Sequence, residues 1–255
     1  MSMSWLFFKK ECLTFWRSRR ALIMLVVFAA LGILSPLMAK LTPEILKLSG
    51  ATAALSALIP KADSAASWTQ YYKNMSQIGL LVFAIVFGTS VSGELKDGTL
   101  INLVTKGLPR RAVILGKVAL AILTWLGSVT LAFLISWAYT AYYFPDHKSP
   151  HLLAGLVALL VFGLLLSAVL IFGSSLGQNS AAGLLTGVVA YAGLAILNLF
   201  KSCQRFNPLS LLTDNMTLTT GGETLSHYTP AIVITIVATA LLTWAAVRVL
   251  EEKRL

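Results

Sequence analysis

The chain has 255 residues, of which 57% are hydrophobic and only 12% charged, and it carries a formal charge of +10. An ordinary soluble domain has about 25% charged residues, so that class is excluded. A nucleic-acid binder gathers its cations on one water-facing surface. Here they stand at the ends of apolar runs, so the basicity reads as membrane orientation.

Taken in order, residues 4–20 place Trp5, Phe8, Cys12, Phe15 and Trp16 on one helical stripe, with Lys9, Lys10 and Arg17 off it and Arg19 and Arg20 following. That pattern predicts an interfacial helix, apolar side in the acyl boundary and cations at the headgroups. A first uncharged span covers 21–39. An outer segment, 40–75, follows, with a helix start at Thr42-Pro43-Glu44, a stop at Gly50, and Pro60 and Asp63 leading into Trp68, Tyr71 and Tyr72. Those three rings are expected as an aromatic belt at the far interface. The second span is about 76–93.

Residues 92–117, SGELKDGTLINLVTKGLPRRAVILGK, are too elaborate for a simple connector. Leu100, Leu103 and Val104 predict a short amphipathic helix between turns at Gly98 and Gly107, with a fresh start at Pro109. The third span, about 113–143, exceeds what a bilayer needs and ends in Trp137, Tyr139, Tyr142 and Tyr143. Spans at 152–176 and 181–200 flank a short polar break, Gly177 to Ser180. A second outer segment, 201–228, is either a loop or a helical hairpin that dips inward through Leu209, Leu211 and Leu212. The last span is 229–247. The expected fold is therefore all-α: one polytopic membrane domain with six transmembrane helices. Of the 20 Lys and Arg, 13 fall in 1–20, 94–117 and 248–255, and 7 fall in the outer segments. The positive-inside rule then predicts both ends of the chain in the cytoplasm. Gly173, Gly177, Gly183 and Gly187 form two small-xxx-small pairs for helix packing, within the subunit or against a second copy.

Catalytic patterns are missing. No span carries an acid or base in its interior, as ion- or proton-coupled carriers do. There is no phosphate-binding GxxxxGK[ST]; before Gly116-Lys117 the first glycine is replaced by Arg111. His147 and His151 are separated by Pro150 without a third ligand, so no metal site is expected. No catalytic or cofactor-binding residue is expected, and any uphill movement must be driven by another polypeptide.

The run from Gly93-Glu94 through Gly98-Thr99-Leu100 to Arg110-Arg111 and Gly116-Lys117 resembles the signature of the type 2 ABC exporter permeases. The basic N-terminal helix, the six-span layout and Asn207-Pro208-Leu209 after the fifth span extend the resemblance over most of the chain. It implies a transport subunit of the bacterial cytoplasmic membrane that pairs with a second permease copy or a paralogue. Two cytoplasmic ABC ATPases would bind the ATP and Mg. The stretch 94–111 would be the coupling helix, with Glu94, Asp97, Thr99, Leu100, Leu103, Val104, Arg110 and Arg111 meeting the ATPase and Gln178 and Asn179 supplying a second inner contact. The competing expectation is a membrane scaffold that passes ATPase-driven motion to another envelope protein without carrying substrate. The family's cargoes are too varied to name one.

Overall fold

The structure is a computed structural model that describes residues 3–48, 63–105, 107–146, 149–177, 179 and 181–253. Among these residues every element is helical and there is no strand. Five helical segments are long and apolar enough to cross a membrane: Arg19–Pro43, Ser64–Lys96, Arg110–Tyr143, Leu152–Leu176 and Leu225–Glu252. Five such helices are compatible with a multi-pass membrane protein. A sixth apolar helix, Ala182–Asn198, is shorter, at 17 residues.

Helix α1 (Met3–Trp16) turns at Arg17-Ser18 into α2 (Arg19–Leu48). The expected separate start at Thr42 does not form: α2 runs unbroken through Pro36 and Pro43, and Thr42 Oγ1 donates back to the Met38 carbonyl at 2.6 Å. Pro36 has no N–H to offer the Gly32 carbonyl one turn earlier. Ser136 Oγ supplies the missing donor at 2.8 Å. The approach requires glycine, because a Cβ at position 32 would lie 2.8 Å from the Ala132 carbonyl oxygen. Neighbouring helices can repair a proline gap in this way inside a membrane. The stop expected at Gly50, and Pro60, lie outside the described residues.

The second span also departs from expectation. Helix α3 (Ser64–Asn74), a wide π turn (Met75–Gly79) and α4 (Leu80–Phe87) form one longer rod. Asp63 caps it by accepting from the Ala66 N–H at 2.9 Å. The expected aromatic belt is instead core: Trp68, Tyr71 and Tyr72 are buried, and Trp68 packs on Phe133 with ring centres 5.0 Å apart. Both tyrosine hydroxyls find protein partners, Tyr71 donating to the Val129 carbonyl at 3.2 Å and Tyr72 accepting from Thr219 Oγ1 at 3.1 Å. They have no need of interfacial water.

After two short helices, α5 (Ser92–Lys96) and α6 (Thr99–Thr105), α7 (Arg110–Tyr143) and α8 (Leu152–Leu176) return across the bundle. The Trp125 indole fills the space that a side chain on Gly163 would take, and its Nε1–H reaches the Leu159 carbonyl at 3.4 Å. Then come α9 (Ala182–Asn198), short turns α10 (Lys201–Gln204), α11 (Ser210–Thr213) and α12 (Asn215–Thr220), a 3-10 turn (Leu225–Tyr228) and α13 (Thr229–Glu252). Leu209, Leu211, Leu212 and Leu218 insert into the main core cluster, so the 201–228 segment is packed rather than looped out.

Candidate functional site

The stretch between α4 and α7 is laid against one end of the bundle. Gly98 and Gly107 take left-handed backbone angles, φ 68° and 88°, and break the chain into α5 and α6 at those points. Pro109 precedes the first residue of α7 with an extended ψ of 133°. Upstream, the α4 helix gives way at Gly88, where a close approach to Gly183 of α9 leaves no room for a side chain. Ser174 Oγ of α8 accepts from the Val91 and Ser92 N–H groups, each at 2.9 Å. One hydroxyl thus supports the restart of the helix.

A buried ion triad sits beside this restart. Lys117 is only 2% exposed, yet its ammonium lies 3.1 Å from Glu11 Oε2 of α1 and 2.9 Å from Glu94 Oε1 of α5. Lys10 reaches the other Glu11 oxygen at 2.9 Å. A buried cation is tolerated when carboxylates surround it closely; removing either sign leaves the other desolvated and unpaired. Burial works against charge on Glu11, but Lys117 and Lys10 together hold its carboxyl below the ordinary glutamate value. Glu94 Oε2 has no hydrogen-bond partner among the described residues. Glu94 borders a polar cleft of about 270 Å³ shared with Glu11, Asp97, Ser18 and Arg20.

Arg110 makes the second anchor. Its Nη1 donates to the carbonyls of Leu250, Glu251 and Lys253 at 2.8, 2.9 and 2.6 Å. Those are the unsatisfied acceptors at the end of α13, where a cation is also favoured by the helix dipole. Lys253 Nζ in turn donates to the Ser175 carbonyl near the end of α8 at 3.0 Å, and burial lowers its pKa. The ends of α1, α5, α7, α8 and α13 are therefore tied together at one place.

The eight residues expected to meet an ATPase divide sharply. Leu100 is fully buried in a cluster with Leu95, Leu108, Val113 and Leu250, and Leu103 and Val104 pack against it. Leu100 therefore has its apolar slot inside the chain, while Leu103 and Val104 are only partly covered by it. Glu94 and Arg110 are committed to internal contacts. Asp97, Thr99 and Arg111 remain exposed. At the second expected contact, Gln178 lies outside the described residues; Asn179 is exposed and its side-chain oxygen accepts from the Ala181 N–H at 3.0 Å. Of the four glycines, Gly173 abuts Thr186, Gly183 abuts Gly88 and Gly187 abuts Leu170, all within the subunit, whereas Gly177 meets only the Asn179 backbone.

The triad's Glu11 escaped the helical-stripe reading because the buried face of α1 is wider than that stripe: Phe8, Cys12 and Phe15 of the stripe pack against the core, and Phe7 and Glu11 beside them are buried as well. Phe7, Glu11 and Phe15 (spaced by four) face inward, while Trp5 and Trp16 point out and are more than half exposed. A single acid between two phenylalanines in an otherwise basic helix was the available signal. Cys12 is a free thiol whose pKa is raised by burial and by Glu11, so it is not primed for chemistry. Among the described residues no group of three or more His, Cys, Asp or Glu could hold a metal ion; His147 lies outside them. No family model, curated protein or solved structure matches this chain.

Proposed function

We propose that this chain is the membrane-spanning permease subunit of an ATP-driven exporter, related to the type 2 ABC exporters, and that residues 92–111 are the handle on which a separate cytoplasmic ATPase pulls. The observation that carries the reading is the double anchorage of that handle. Lys117 joins it to α1 through Glu11, and Arg110 joins it to the end of α13. A displacement of the exposed face, Asp97, Thr99 and Arg111, is thereby delivered to several helices at once instead of being lost in a slack loop. A signal-passing scaffold would need the same anchorage but no cargo route.

In this reading α9 and the 201–228 segment complete a sixth crossing. Support comes from the contacts of Glu11, Ser175 and Lys253, which bring both ends of the described chain to the same end of the bundle. The positive-inside rule, applied to the 13 inner cations, favours the cytoplasmic side for that end, and the resemblance implies the bacterial inner membrane. ATP and Mg belong to the partner. A second copy, or a paralogue, packs along the exposed apolar side of α9, where Leu185, Val188 and Val189 are bare.

Co-purification of the full chain with a co-expressed ABC ATPase, followed by ATP-dependent flux in sealed vesicles, tests this. Asp97→Lys with Arg111→Glu should abolish co-purification while leaving the permease folded. Retained complex formation would remove the handle from the account. A complex that hydrolyses ATP without moving any cargo would favour the scaffold.

A further inference from the structure

Beneath α1 runs an apolar groove of about 480 Å³, walled by α1, α2 and α7. Phe15 and Trp16 form its roof, Met24 and Leu25 one side, and Leu123 and Gly127 the floor. It opens sideways: Leu25 is 46% and Leu123 54% exposed, on helices that the composition places in hydrocarbon. Gly127 has no atom within 4 Å of where its Cβ would be, so the floor is vacant space rather than packed core. At the groove's headgroup end the chain turns between α1 and α2. That turn is fixed, Ser18 Oγ and Ser18 N–H both bonding to the Phe15 carbonyl at 2.6 and 3.0 Å. It carries Arg17 and Arg19, both exposed and, among the described residues, in no ion pair.

We propose that this groove is a binding site for one anionic phospholipid, an acyl chain lying under α1 and the phosphate held by Arg17 and Arg19. The two halves of the site match the two halves of such a molecule. An apolar slot alone would take any lipid tail. Two exposed guanidiniums in the turn between the lining residues Trp16 and Ala21 add charge complementarity, worth about a factor of five per cation near a membrane surface. Guanidinium also suits a phosphate oxygen pair geometrically. The bound lipid would fill the gap between the interfacial helix and the bundle, beside the face of α1 that carries Glu11. The inference needs only that the chain is embedded in a bilayer, and is independent of any ATPase.

The test uses the full chain in phosphatidylcholine vesicles doped with a photoreactive-tail phosphatidylglycerol or, in a parallel arm, phosphatidylcholine bearing the same tail. Cross-linked peptides are then mapped by mass spectrometry. The expected result is labelling within 12–25 and 120–131, favouring phosphatidylglycerol by up to about twenty-five-fold, a factor of about five for each arginine. Arg17→Gln with Arg19→Gln should bring the two lipids to parity while labelling persists. Gly127→Leu, whose Cβ enters open space and whose longer side chain extends into the groove, should suppress labelling by both lipids while the melting temperature stays within a few degrees of the unaltered chain. Equal labelling by both headgroups in the unaltered chain, undiminished labelling in Gly127→Leu, or protein–protein cross-links at the groove would each overturn the site. Free inorganic phosphate in excess should not compete; if it abolished the preference, the arginines would be reading a soluble anion and the lipid assignment would fail.

Discussion

The charged end of the bundle and its middle are held together by different forces. At the charged end a few ionic contacts, Lys117 to two carboxylates and Arg110 to three carbonyls, join elements up to 143 residues apart. Through the middle and on to the 201–228 segment, rings, hydroxyls and amides do most of the joining, with a carboxylate taking part where the Tyr228 hydroxyl donates to Asp214 at 3.1 Å. The first arrangement is strong but brittle, since losing one member strands the others. The second is distributed: each bond is weaker, and its loss is local.

The sharpest break of that contrast is Lys117→Met. It should destabilise the protein by about 3–5 kcal/mol, because Glu94 loses its cation and the buried Glu11 is left with the half-exposed Lys10. Tryptophan-fluorescence melting in detergent would read the effect. Neutralising all three, with Glu11→Gln and Glu94→Gln added, should restore most of the loss; equal melting of single and triple variants would show that the three do not act as a unit. Next in size is Asn207→Ala, which removes bonds to the Leu194 carbonyl, Asn198 Oδ1 and the Leu209 N–H. A drop of about 1–3 kcal/mol is expected, confined to the 199–228 region in hydrogen exchange.

Acid should separate the two regions. The Glu11 carboxyl is held below its ordinary value in the folded state, so its contribution is complete above the usual glutamate range of about 4.3. It is lost as pH falls through the lowered folded value. Melting followed at the charged end should soften there first, and Lys117→Met with both glutamines should erase that step. Ser136→Ala should cost about 0.6–2 kcal/mol, by orphaning the Gly32 carbonyl that Pro36 cannot serve. Smallest of all, Asp97→Asn and Arg111→Gln should each stay within about 0.5 kcal/mol, since both residues are exposed.

The local breaks were readable in advance because each is carried by one residue's own chemistry. Gly98 and Gly107 reverse the backbone, and Pro109 sits where an absent N–H does no harm. The long apolar runs marked, for the same reason, five helices of membrane-crossing length. What stayed hidden depends on residues far apart in sequence. Glu11 and Lys117 are separated by 106 positions, and nothing local says that their helices meet. Trp68, Tyr71 and Tyr72 look like interfacial rings by composition; only the Val129 carbonyl and Thr219 hydroxyl waiting inside make them core. Leu100 was legible as the apolar side of a small helix, but whether that side faces a partner or its own bundle is a tertiary fact.

The Arg110 clamp also has a history in time. Its three acceptors are made late, 140 to 143 residues after the arginine itself. At translation rates of about 5–20 residues per second, that guanidinium waits on the order of 7–30 s for its carbonyls. During that interval α7 begins without its final tether. A ribosome that stalls before α13 is finished leaves this end unlatched, so the presence of the last helix is recorded at a surface more than a hundred residues upstream.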